Sequence, residues 1–266
     1  MPRKKPRLGQ HFLTDARLAR RLMEAAGIRS DDLAIEIGPG RGAMTRLLAG
    51  RCARLVALEI DPALAATLRV EFRDAPHVEI LQADILQADL TVLLKQRGFE
   101  RCFVFGNLPY YITSPILQRM FGFHHSIRAM ATLLQLEVAH RITAAPGSRD
   151  YGYLSVLAQL YSSPRLAMKI PPGAFSPAPR VTSALVLYPM SLRFPAWDEA
   201  TQRAFLRFVK RCFASKRKNL LNNLSSLRPR AELETILQCV GLPPTARAEE
   251  IPVEELARLY EALTGR

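Results

Sequence analysis

Four nearly unbroken apolar runs, separated by stretches of helical character, dominate the first part of this 266-residue chain. They are Leu33 to Ile37, Leu55 to Ile60, Val78 to Leu81 and Cys102 to Phe105. A strand with one wet face alternates apolar and polar residues, whereas a continuous apolar run of strand length is buried on both faces. Between the runs, Ala43 to Ala49, Pro62 to Phe72 and Leu86 to Gln96 read as helices, the second with proline in its first turn. Strand alternating with helix implies βαβ units and a parallel sheet, an α/β fold.

The pattern continues beyond these units. Ala129 to Leu134 reads as a strand running on into a helix through Arg141, and Tyr153 to Tyr161 as a further helix. Leu166 to Ile170 and Ser183 to Leu187 are two late strands around the turn Pro171 to Pro179. That turn holds four of the chain's 19 prolines, so it is a stiff, shaped loop. After Pro189 apolar residues recur at helical spacing, as in Phe205, Phe208, Val209 and Phe213. A boundary near residue 190 therefore divides an α/β domain, 1–190, from a small all-α domain, 191–266.

The net charge of +13 is concentrated in two places. Residues 1–21 carry seven basic side chains against Asp15 alone, and residues 203–230 carry nine with no acid. A solvated face would keep such a chain soluble, but clusters this free of acids fit better as a footprint for a polyanion, nucleic acid above all. Contacts of that kind give salt-sensitive affinity without sequence specificity. Hydrophobic residues at 48% and charged ones at 23% exclude a mostly disordered chain. No apolar stretch is long enough to span a bilayer, and Arg17, Arg20, Arg21 and Glu24 interrupt any signal-like core, so no membrane partner is expected. Cys52, Cys102, Cys212 and Cys239 are far apart, which points to a reducing compartment and to no metal site.

Chemistry concentrates at the ends of the strands. Glu36-Ile37-Gly38-Pro39-Gly40-Arg41-Gly42 follows the first strand and leads into a helix. Glycines at such a turn let backbone approach a ligand closely. The G-x-G-x-G spacing lacks the third-glycine position of a dinucleotide fold, which disfavours NAD. Glu59 ends the second strand, where a carboxylate can accept hydrogen bonds from both ribose hydroxyls of an adenosine, and Asp84 ends the third, within reach of an adenine amino group.

The fourth strand ends in Gly106-Asn107-Leu108-Pro109-Tyr110-Tyr111. Asn-Leu-Pro-Tyr after a G-x-G-x-G loop resembles the signature of Rossmann-like, S-adenosylmethionine-dependent methyltransferases that act on exocyclic amino groups of nucleobases. An adenine N6 lone pair is delocalised into the ring and is a poor nucleophile. The side-chain oxygen of Asn107 and the backbone carbonyl of Leu108 can accept from its two hydrogens and aim the lone pair at the methyl. Pro109 stiffens the turn, and Tyr110 offers a flat face for an extruded base. The chemistry asks for no strong general base and no metal.

The resemblance extends along essentially the whole chain to the small-subunit ribosomal RNA adenine N6,N6-dimethyltransferases. Leu8-Gly9-Gln10-His11-Phe12-Leu13-Thr14-Asp15 is similar to the family's G-Q-[NH]-F-L-x-D segment, and Asn107 to Pro115 to its catalytic loop. Pro171 to Val181 is similar to its proline-rich turn, and Phe213 to Asn219 to its basic C-terminal segment. The resemblance implies contacts from His11, Leu13, Gly38, Gly40, Glu59, Asp84 and Asn107 to S-adenosylmethionine. It implies catalysis through Asn107 and Leu108, with Tyr110 and Phe175 sandwiching the adenine; a Phe between prolines is also poorly placed for core packing. His11 stands where many members have Asn. A contact through backbone would make that exchange harmless, and one through the side chain would bring a pH dependence.

The implied reaction is dimethylation of two adjacent adenosines near the 3′ end of small-subunit rRNA in an assembling 30S-type particle. A cytoplasmic monomer is expected, with residues 1–190 binding cofactor and Arg211, Lys216, Arg217 and Lys218 of the helical domain binding RNA. Related large-subunit rRNA methyltransferases more often read Asn-Ile-Pro-Tyr, against which Leu108 and Tyr111 argue. A binding protein that kept the fold and lost turnover is a further alternative. His124 and His125 read as loop residues, and Glu137 as structural.

Overall fold

The computed structural model describes residues 11–216 and 218–265, so Leu8 to Gln10 and Arg217 lie outside the described residues. The chain begins with β1 (Phe12–Leu13) and α1 (Ala16–Ala26), followed by β2 (Leu33–Ile37), α2 (Ala43–Ala49), β3 (Arg54–Glu59), α3 (Pro62–Glu71) and β4 (Val78–Gln82). Next come α4 (Leu90–Lys95), β5 (Cys102–Asn107), α5 (Thr113–Gly122), β6 (Ile127–Gln135), α6 (Leu136–Thr143) and α7 (Tyr153–Tyr161). Then β7 (Arg165–Ile170), β8 (Phe175–Ser176) and β9 (Ser183–Pro189) precede α8 (Glu199–Cys212), α9 (Leu220–Leu224), α10 (Arg230–Cys239) and α11 (Val253–Thr264).

Seven strands form one sheet in the order β4-β3-β2-β5-β6-β9-β7. The pairings from β4 through β6 are parallel, and β9 is antiparallel to both β6 and β7. This is a Rossmann-like sheet with a helical C-terminal part. The four apolar runs are the four strands of its first half, and every residue of β2 is buried. Leu22 and Met23 of α1 and Leu48 of α2 pack with Ala34, Leu55, Phe103 and Phe105 of the sheet in one apolar core.

Local signals set the ends of the helices. Asp15 accepts from the amides of Arg17 and Leu18, and Asp61 caps α3 with Pro62 at its start. The helix expected over Leu86 to Gln96 begins later, at Leu90. Asp89 caps it by accepting from Val92 N, while Asp84 holds the preceding turn through Leu86 N, 2.9 Å. Asp84 thus lies two residues past the end of β4 rather than on it.

The strand order reverses beside β2, because β3 and β4 are added on one side and β5 and β6 on the other. At that switch point the loops leaving neighbouring strands diverge and open a crevice. Ile37 pairs with Leu58 and with Gly106, which brings the ends of β2, β3 and β5 level there.

The chain divides into two compact units, residues 1–139 with 163–190, and residues 140–162 with 191–266. The single cut at residue 190 thus misplaces residues 140–162. The reason is that α7 is apolar nearly all round and buries Leu154, Val156, Leu157, Ala158 and Leu160 within the helical unit. Backbone bonds from Ser191 N to Tyr161 O and from Gly147 N to Glu249 O join it there. Trp197, Phe205 and Tyr260 form an aromatic cluster in the same unit.

Candidate active site

The cleft at the switch point is lined by the glycine loop, the ends of β3 and β5, the turn after β4, and the segment His11 to Leu13. Gly38 has φ +67° and Gly40 φ +59°, conformations that favour glycine. A Cβ on Gly40 would also meet the Phe12 ring at 2.9 Å, so only glycine lets the loop lie against the N-terminal segment. Arg41 covers Phe12, with its guanidinium carbon 4.6 Å from the ring centroid.

Glu59, 1% exposed, stands beside this loop. Its Oε2 accepts from Gly40 N at 2.9 Å and its Oε1 from Asp61 N at 2.9 Å. One carboxylate therefore fixes both the loop and its own turn, and each oxygen keeps lone-pair capacity for a hydroxyl. Glu36, the penultimate residue of β2, lines the same cleft, 3% exposed, and its Oε2 has no hydrogen-bond partner. Burial, helped by the nearby charge of Glu59 and opposed by the Thr45 hydroxyl, pushes its pKa up to about 8. Enclosure holds Glu36 toward its neutral form, while the Glu59 carboxylate takes the backbone hydrogen bonds. The sequence marks Glu36 as the acid before the loop; its isolation is a product of burial and is not visible there.

At the end of β5 the Asn107 side-chain nitrogen donates to the carbonyl of His11, 2.9 Å away. This fixes the amide so that its oxygen is left to accept from another group. The Leu108 amide donates to Leu133 O at 3.0 Å, and its side chain is buried. The Tyr110 hydroxyl bonds Ser183 Oγ at 2.8 Å, and burial raises its pKa. The His11 ring stacks on Tyr110 with centroids 5.5 Å apart, and its Nδ1–H donates to Pro177 O at 2.7 Å. His11 thus serves the site twice, through its backbone on Asn107 and through its ring on Tyr110. Tyr111 and Ile60, 62% and 51% exposed, form an apolar rim, a role the sequence reading gave to neither.

The cleft brings together His11, Leu13, Gly38, Gly40, Glu59, Asp84, Asn107, Leu108 and Tyr110. Phe175 is not among its lining residues. The expectation that a Phe between prolines packs poorly in a core is wrong here. Phe175 is 4% exposed and belongs to the main apolar core. The cause is a two-residue ribbon in which Leu13 faces Phe175 and Phe12 faces Ser176, a pairing too short to leave a periodic trace in sequence. Arg211, Lys216 and Lys218 are exposed in the helical unit, and Lys216 Nζ donates to Arg149 O at 3.3 Å. His124 and His125 lie outside the cleft, in a short turn before β6. Among the described residues no group of acids, histidines and cysteines could hold a metal ion, and no helix is long and apolar enough to cross a membrane.

The family model for ribosomal RNA adenine dimethylases matches residues 1–265. The chain belongs to that family. A ribosomal RNA small subunit methyltransferase A from Koribacter versatilis is 44% identical over 98% of this chain and 95% of that protein. One from Acidobacterium capsulatum is 42% identical, over 98% of this chain and 92% of that protein. Among solved structures, the 23S rRNA methyltransferase ErmE has a TM-score of 0.71 at 30% identity, covering 95% of this chain and 99% of that one. A dimethyladenosine transferase from Plasmodium falciparum shares the fold, with a TM-score of 0.77 at 19% identity over 94% and 96% of the two chains. As a ribosomal RNA adenine dimethylase, this chain uses S-adenosylmethionine as methyl donor. Its cleft fits that molecule: both Glu59 oxygens keep acceptor capacity for ribose hydroxyls, and the walls are largely apolar.

Proposed function

We propose that this protein dimethylates N6 of two adjacent adenosines near the 3′ end of small-subunit rRNA, acting as a cytoplasmic monomer on an assembling subunit. The observation that carries this reading is the Asn107 amide, held by the His11 carbonyl so that its oxygen is free beside the cofactor cleft. The small-subunit names of the relatives at 44% and 42% identity direct it to that rRNA.

Bound S-adenosylmethionine supplies an electrophilic methyl on a positively charged sulfur. The protein's part is positioning. His11, Leu13, Gly38, Gly40, Glu59, Asp84 and Asn107 hold the donor. Asn107 Oδ1 accepts one N6 hydrogen and the Leu108 carbonyl the other, which draws the nitrogen lone pair out of conjugation. Pro109 restricts the turn that carries that carbonyl, and Tyr110, fixed by Ser183 and His11, supports the base face. The amine becomes acidic once methylated, and its proton passes to water without a dedicated base. Phe175 stiffens the site from the core side, through its pairing with Leu13. Arg211, Lys216, Arg217 and Lys218 contribute sequence-independent grip on phosphates.

The test is incubation of the protein and radiolabelled cofactor with undermethylated small subunits, then nucleoside analysis. Label in N6,N6-dimethyladenosine, abolished in Asn107→Ala, supports the reading. Binding of the subunits without turnover overturns it.

A further inference from the structure

Within the helical unit lies a groove of about 870 Å³ that the methyl-transfer chemistry does not use. It is lined by Tyr153 of α7, by α8 and the residues after it, by Leu227 and Arg228, and by the end of α11. Its floor is apolar, formed by the buried Phe208, Tyr260 and Leu263, with Tyr153 and Phe213 half-exposed along it. Ala204, Arg207, Phe208 and Arg211 stand at successive helical intervals of α8, so two arginines flank one ring on one face. No acid lines the groove. Arg207 and Lys210 have neither an ion pair nor a side-chain hydrogen bond among the described residues. Arg211 reaches only Ser226 Oγ, at 3.3 Å, and Arg228 pairs with the exposed Glu232.

We infer that this groove binds a short single-stranded RNA segment, taking unstacked bases against the half-exposed rings of Tyr153 and Phe213 while Arg207, Lys210, Arg211 and Arg228 hold the flanking phosphates. The inference deepens the proposed function, on whose assignment of RNA to this unit it rests. Surface cations alone would give only backbone attraction, uniform along a polyanion. Rings and guanidinium planes interleaved with phosphate-binding groups make a stacking platform, because every base has a face to stack. Arg207 and Arg211 are one helical turn apart, about 6 Å along the axis, a spacing suited to phosphates on an extended strand. An acidic amphipathic helix is the competing occupant. It would need an unbroken apolar trench, and here the stripe of α8 that faces the groove is interrupted by two arginines.

The experiment uses the full chain and three fluorescent probes: a single-stranded hexaribonucleotide, an abasic strand of equal charge, and an acidic amphipathic peptide. Ala214→Trp fills the groove from an exposed position, and Arg207→Ser with Lys210→Ser removes its unpaired cations. Thermal melts and S-adenosylmethionine binding verify that each variant is folded. Wild type should bind the hexamer at least fivefold more tightly than the abasic strand. Ala214→Trp should abolish that preference, and the double variant should weaken both strands about tenfold with a shallower salt dependence. Tyr110→Ala, altered only in the other unit, should retain the full preference, which excludes the methyl-transfer cleft as its source. An unchanged preference in Ala214→Trp, or tighter binding of the peptide than of the hexamer, overturns the inference. Groove-dependent binding without methylation of subunits would refute the proposed function alone. Methylation with a silent Ala214→Trp would refute the groove alone.

Discussion

Replacing Glu36 by Gln should make the cofactor-free protein increasingly stable relative to wild type as pH rises, and the burial of Glu36 sets the sign. Glu36 is buried near the end of β2, with one oxygen unpartnered and Glu59 nearby, and burial raises its pKa from 4.5 to about 8. Between those values the folded protein keeps a proton that the unfolded chain has released. The native state then binds more protons, so stability falls with rising pH across that window, is unaffected below pH 4.5, and falls no further above about pH 8. At about 1.36 kcal/mol per pH unit the full loss is about 5 kcal/mol. A Gln side chain does not titrate. The stability of Glu36→Gln relative to wild type should therefore climb through this window and then level off. Urea unfolding at a series of pH values measures it, followed by far-UV circular dichroism because the single tryptophan, Trp197, lies in the helical unit. A difference that stays flat with pH, or a Gln variant that loses ground as pH rises, refutes the reasoning.

Other perturbations address the remaining parts. Asn107→Ala should lower kcat by about 10²- to 10³-fold, the usual effect of losing one preorganised polar group at a reacting centre, with melting temperature nearly unchanged. Gly40→Ala forces a Cβ to 2.9 Å from the Phe12 ring at φ +59°; equilibrium dialysis should show cofactor affinity down at least about tenfold, given strain of about 1–3 kcal/mol. Asp32→Asn leaves Arg128, whose Nε is 2.9 Å from the Asp32 carboxylate, without its charge partner; denaturant unfolding should show a loss of about 3 kcal/mol. Lys216→Glu with Lys218→Glu should weaken binding to small subunits and flatten its dependence on salt, read by sedimentation across a salt series.

The architecture was readable wherever burial wrote a pattern. Leu33–Ile37 is apolar apart from one acid because both its faces are covered, and the strand has the same bounds in sequence and structure. The helices Ala43–Ala49 and Tyr153–Tyr161 also match, since glycine or proline punctuation and apolar spacing agree there. What escaped notice depends on partners distant in the chain. Nothing in Phe175 or its neighbours announces a strand two residues long, and the pairing with Leu13 that buries it is a tertiary event. The allegiance of α7 to the helical unit was hidden for a similar reason, because its periodicity states that it is buried but not against what. The glycine loop, Glu59 and Asn107 were visible by residue type and order. The fastening of Asn107 to His11 was not, since a backbone carbonyl has no signature in sequence.

The ribbon of Phe12–Leu13 with Phe175–Ser176 spreads the chemistry over three remote stretches of chain. The carbonyl that aligns Asn107 belongs to the residue just before that ribbon, and the ring of the same residue is moored to Pro177 just past its other strand. A substitution in the proline turn can thus swing the Asn107 carboxamide out of line without touching the glycine loop. Under the proposed mechanism that turn is constrained as tightly as the residues assigned to the base.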